Sequence, residues 1–95
     1  MIIELDGLSI SSEQDFHKRI ASAFSWAQYY GNNLNSLWEL LSTDVERPIE
    51  IVWKNSKESE QSMGETFKKM IFIFERTENQ DISLGLDEKF EYKLK

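Results

Sequence analysis

The side chains that could do covalent or acid–base chemistry are few. There is no cysteine, so the chain holds no thiolate nucleophile, no soft metal ligand and no disulfide. The one imidazole, His17, sits between Phe16 and Lys18. On a helix whose inward stripe runs through Phe16 and Ile20, His17 falls off the stripe. It is predicted to lie near solvent as a surface histidine rather than to act as a general base. A lone histidine without cysteine does not make a zinc site. No Gly-x-Ser-x-Gly elbow and no glycine-rich phosphate loop occur. Paired carboxylates could serve general acid–base catalysis, with Glu39, Glu46 and Glu50 as candidates. The 17 acidic residues are spread along the whole chain, however, which reads as a solvated surface. We expect no enzyme, no metal and no cofactor.

Recognition is the stronger signal. Tyr29-Tyr30-Gly31 runs directly into a helical segment that carries Trp38 and Glu39. Tyrosine and tryptophan concentrate at binding hot spots because each offers a large rigid area with a polar handle. Two adjacent tyrosines in a polar loop are more than a core helix needs. Composition alone leaves open whether these rings face a partner or the interior.

Hydrophobic spacing gives the elements that must hold these residues. Ile2, Ile3 and Leu5 form a first strand that stops at Asp6-Gly7. Ser11 and Ser12 can cap a helix whose Phe16, Ile20, Ala23 and Phe24 share one stripe. Gly31 and its asparagines break that pattern, and Asn33 can cap a second helix bearing Leu34, Leu37, Trp38 and Leu41. Leu37 is assigned to the core. After Pro48, the run Ile49, Ile51, Val52, Trp53 is a second strand. Residues 54–64 suit a short solvated helix or a loop. Phe67, Met70, Ile71 and Phe74 have helical spacing, and Ile82, Leu84 and Leu86 alternate as a last strand. Phe90, Tyr92 and Leu94 form either an added strand or an ordered tail. Strands joined by helical crossovers lie parallel. The expected fold is α/β: a single domain over residues 1–95, with a three-stranded parallel sheet packed by three to four helices.

Charge narrows the partners. A net charge of −6 would be repelled by a phosphodiester backbone, which disfavours direct nucleic-acid binding, and would attract a basic protein. The start of the chain lacks a basic, long apolar leader, and no apolar run approaches the ~20 residues of a membrane span. A cytoplasmic location is expected.

The segment Tyr29-Tyr30-Gly31-Asn32-Asn33-Leu34-Asn35-Ser36-Leu37-Trp38-Glu39-Leu40-Leu41 resembles the signature of the barstar family, which reads roughly Tyr-Tyr-Gly-x-Asn-Leu-Asp-Ala-Leu-Trp-Asp-x-Leu. The likeness continues in register through Val45, Glu46, Pro48 and Trp53, and more weakly to Leu86. Residues 87–95 would then be a C-terminal extension. The resemblance implies binding to, and blocking of, a basic barnase-like ribonuclease as a one-to-one complex. The inhibitory face it implies is the second helix with its preceding loop: Tyr29, Tyr30, Gly31, Asn33, Leu34, Asn35, Trp38 and Glu39, then Ser42, Thr43 and Asp44, with Glu75 from the last helix. The departures are specific. Glu39 and Asn35 stand where the family has aspartates, Asp44 where it often has tryptophan, and Arg76 where an acid is common. A nuclease with differently placed cations is the expected partner.

Overall fold

A computed structural model describes all 95 residues. The order is β1 (Ile2–Asp6), α1 (Glu13–Ala23), α2 (Leu34–Glu39), a π-helical segment (Leu40–Asp44), β2 (Ile49–Lys54), α3 (Ser56–Met63), α4 (Glu65–Ser83) and β3 (Phe90–Leu94). The three strands form one parallel sheet in the order β1-β2-β3, with Ile3 beside Ile51 and Ile51 beside Tyr92. The expected α/β class and three-stranded parallel sheet are both present.

The edge strand β1 alternates because one face of the sheet is open, while Val52 of the central strand is buried even on that face. Ile3, Leu5, Ile49, Ile51, Trp53 and Phe90 point into the core. The opposite face carries the cross-strand ion pairs Lys54–Glu4 at 2.6 Å and Lys93–Glu50 at 3.3 Å. Trp53 is the centre of the core. Its ring stacks on Phe16 with centroids 5.4 Å apart and meets Phe67 at 4.9 Å. Its indole N–H donates to Ser59 Oγ, which in turn donates to the Ile10 carbonyl, so the buried polar atoms of this region are paired.

Both predicted caps are made. Ser12 Oγ accepts from the Asp15 amide, and the Asp15 carboxylate accepts from the Ser11 amide, so side chain and backbone satisfy each other at the start of α1. Asn33 Oδ1 accepts from the Ser36 amide at 2.8 Å and starts α2. After Glu39 the chain widens into a π turn, closed by the Val45 amide donating to the Leu40 carbonyl. Leu40 and Leu41 both enter the core, on the face that Leu37 begins.

Two expectations are corrected. Ile82 and Leu84 do not belong to a strand: α4 runs through Ser83, and these two side chains are exposed. The inward face of α4 continues Met70, Phe74, Thr77, Asp81, a helical period that the alternation of Ile82, Leu84 and Leu86 hides. His17 is not near solvent. It is 3% exposed, because the loop after α1 folds back over it and brings Tyr30 to its ring. An open choice is also decided: Phe90–Leu94 is a strand rather than a tail, and with no strand at Ile82 it is the third of the sheet, not a fourth.

Candidate functional site

The loop between α1 and α2 carries two tyrosines with opposite fates. Tyr30 is buried, and its hydroxyl meets His17 Nδ1, while His17 Nε2 faces the Glu13 carboxylate at 2.9 Å. A carboxylate only accepts, so Nε2–H donates to Glu13, and the Tyr30 hydroxyl, which can donate or accept, pairs with Nδ1. Burial, and then the Glu13 charge, pushes the Tyr30 hydroxyl far above its ordinary pKa. Tyr30, predicted on the partner side, is thus an inward anchor of the loop. Tyr30→Phe should leave Nδ1 buried without a partner and cost about 1–3 kcal/mol. Urea unfolding should show this as a lower midpoint with an unchanged slope; an unaltered midpoint would mean the anchor carries no weight.

Held by that anchor, Tyr29 points outward at 60% exposure. Its hydroxyl pKa is raised, chiefly by the nearby Asp44 carboxylate, then by partial burial, with the Glu39 charge adding to it. Tyr29, Glu39 and Asp44 therefore meet on one exposed rim although 15 sequence positions separate Tyr29 from Asp44. Gly31 makes the approach possible. A Cβ there would meet Ser36 Oγ at 2.6 Å and the capping Asn33 amide at 3.1 Å, so a larger residue would make those side chains turn away. Asn33 is held as the cap, its amide also donating to the Gly31 carbonyl. Asn35, Thr43 and Asp44 are exposed, Leu34 and Ser42 are half-buried, and Leu37 is fully inside. Thr43 Oγ donates to the Glu39 carbonyl at 2.6 Å and fixes the turn that follows the carboxylate.

Helix α4 closes the far side of this rim. The Arg76 guanidinium lies 4.0 Å from the Trp38 ring centroid, and Gln80 donates to the Ser42 carbonyl. A cation over an indole face is attracted by the ring quadrupole. Glu75 is turned elsewhere: its carboxylate accepts from the Tyr92 hydroxyl on β3, whose pKa burial and then the Glu75 charge push up to about 12. Adjacent positions on a helix differ by about 100° in direction, so Glu75 and Arg76 serve different neighbours. The structure does not bring Glu75 to the rim with Glu39 and Asp44.

The arrangement can present anions and aromatic planes to another molecule, and no group of three or more His, Asp or Glu side chains is gathered to hold a metal ion. A family described as Barstar (barnase inhibitor) matches residues 1–94. The chain belongs to the barstar family. The match reaches β3, so the barstar fold here includes the strand that sequence reading placed beyond it. A candidate ribonuclease inhibitor of Bacillus subtilis (strain 168), YrdF, is 31% identical over 62 residues, covering 65% of this chain and 68% of the relative. No helix of this barstar-family chain is long and apolar enough to cross a membrane.

Two features of the site region escape sequence reading. The sequence marks Arg76 as a departure but does not reveal it as the cover of Trp38, and Trp26, 54% exposed in the loop before Tyr29, stands outside every pattern. An aromatic in a polar loop, outside any periodic stripe, is the available signal for Trp26.

Proposed function

We propose that this chain is an inhibitor, not an enzyme, that plugs the active site of a basic barnase-like ribonuclease in a one-to-one complex, as the immunity partner of a toxin nuclease in the cytoplasm of the producing cell. The observation that carries the reading is the single exposed rim of Tyr29, Glu39 and Asp44. A ribonuclease must hold a phosphodiester and so lines its cleft with cations. A carboxylate fixed on a short helix can occupy the phosphate position and accept charge-assisted bonds. A tyrosine ring can lie in the base site or against an active-site imidazole. The net charge of −6 steers such a basic partner inward.

Purified chain titrated into purified barnase and other basic ribonucleases of its fold tests this. We expect stoichiometric inhibition of at least one, with an association rate that falls by about tenfold or more as salt rises from low to physiological levels, since screening shortens the Debye length to about 8 Å. An association rate indifferent to salt would remove the steering argument. A second reading, a barstar scaffold that binds a protein other than a nuclease, is favoured by Arg76, which places the chain's own cation over Trp38. A captured partner without ribonuclease activity would select it.

A further inference from the structure

An open cleft of about 510 Å³ lies beside the proposed face, with Phe24, Trp26, Asp44, Glu46, Arg47 and Pro48 among its walls. Trp26 is its prominent feature. One edge of the indole is fixed against the buried Phe24 ring, with centroids 6.2 Å apart and planes at 77°, and more than half of the residue stays open to solvent. A large aromatic anchored in this way and left uncovered is a standing contact surface. Its charges are unequal. Arg47 is committed to the Asp81 carboxylate and the Val45 carbonyl. The Met1 ammonium, donating to the Pro48 carbonyl, is the one cation of the lining without a carboxylate, and two acids outnumber it. Asp44 and Glu46 are both exposed carboxylates. Asp44 lines the cleft and ends the turn that follows Glu39, so the cleft borders the rim.

We infer that this cleft is a second subsite of the nuclease interface, shaped for an arginine side chain that the enzyme carries outside its catalytic centre. The inference rests on the inhibitor reading above. A guanidinium suits the walls better than an ammonium: its plane stacks on an indole while its fork meets a carboxylate. The chain already uses the same pairing internally, where Arg76 covers Trp38. The subsite adds an aromatic–acid contact on the flank of the plug and makes affinity depend on a nuclease surface that varies independently of its catalytic cations.

The test compares Trp26→Ala, Trp26→Phe, Glu46→Gln and Glu39→Ala, each titrated against a ribonuclease that the unaltered chain inhibits, chosen from purified barnase and basic enzymes of its fold. Trp26→Ala should raise Kd on the order of tenfold and Trp26→Phe less, as for an aromatic contact near an interface edge. One arginine of the nuclease should lose its effect once Trp26 is gone, a non-additive pair in a double-mutant cycle. Glu46→Gln should weaken binding and flatten its salt dependence. If Trp26→Ala disturbs folding, Trp26→Phe and Glu46→Gln decide. Unchanged Kd in the Trp26 and Glu46 variants, with Glu39→Ala crippled, overturns the subsite and leaves the inhibitor reading standing. A Trp26 effect additive with every arginine overturns the proposed occupant. If the unaltered chain binds no ribonuclease of the set, both inferences fall.

Discussion

Replacing Asp81 with alanine should destabilise the chain by about 3–5 kcal/mol, the usual cost of removing one partner from a buried ion pair. That is a large share of the roughly 5–15 kcal/mol that holds a small domain together. The Asp81 carboxylate is fully buried and makes three bonds: Oδ2 accepts from Arg47 Nε at 2.8 Å and from the Phe90 amide at 2.7 Å, and Oδ1 accepts from Arg47 Nη2 at 3.1 Å. Arg47 reaches on to the Val45 carbonyl. One side chain on α4 therefore ties the turn ahead of β2 to the first residue of β3. Alanine would leave a guanidinium that is only 12% exposed, and a buried amide, without their acceptor. Asparagine should cost less, keeping one acceptor but aiming an N–H₂ at donors. Arg47→Met with Asp81→Leu should recover part of the loss, because apolar packing replaces the pair without stranding a charge and only the Phe90 amide is left without its acceptor.

The same lock sets an acid limit. Burial alone would raise the Asp81 pKa, but the Arg47 bond, the Phe90 amide and the charges of Arg47 and Lys89 outweigh it and hold the carboxyl below its ordinary value of 3.8. A carboxyl whose folded pKa lies below its unfolded one stabilises the fold at neutral pH. That contribution shrinks as pH drops past the ordinary value and is gone once pH falls below the folded pKa. Urea midpoints at pH 7 and pH 3 should differ more in the unaltered chain than in Asp81→Asn. Equal midpoints for the two proteins at pH 7 would mean the lock contributes nothing.

Where the sequence could be read correctly, the deciding interactions were local. Ser12 and Asn33 cap their helices through bonds spanning three residues, and the stripe Phe16, Ile20, Phe24 needs only the helical period. The errors share a different cause. His17 is covered by Tyr30, thirteen positions away, and no phase argument on α1 contains that loop. Phe90, Tyr92 and Leu94 alternate with charged residues because the sheet is open on one face, whereas a parallel strand is expected to be apolar on both. Ile82, Leu84 and Leu86 alternate in the same way, but by accident, on the last turn of α4 and beyond. Within the proposed face, the resemblance points to Tyr29, Glu39 and Asp44, and all three side chains are exposed. The division of labour between Glu75 and Arg76 depends on how α4 rolls against α2 and β3, which only the packed structure fixes.

Glu39→Ala should weaken nuclease binding by about 2–5 kcal/mol, roughly thirtyfold to several thousandfold in Kd, the range for truncating one partner of a desolvated, hydrogen-bonded charge pair. The free chain gives little reason for that carboxylate to be where it is. Glu39 is exposed where α2 passes into the π turn, among a surplus of acidic charge, and its carboxylate makes no hydrogen bond or ion pair within the chain. Removing it should therefore leave the unfolding midpoint unchanged or slightly raised, so a drop in inhibition would report on the interface and not on folding. The deficit should appear mainly as faster dissociation, since deleting one short-range bond at the centre of an interface alters the bound state more than the encounter. Glu39→Asp should retain part of the affinity, the charge being kept and the reach shortened by one methylene. Glu58→Ala, on the solvated α3, removes the same charge from the chain and should change only the salt-dependent association, slightly. If Glu39→Ala and Glu58→Ala weakened binding alike, net charge and not a placed anion would account for the attraction, and the rim built by Tyr29, Glu39 and Asp44 would not be the plug.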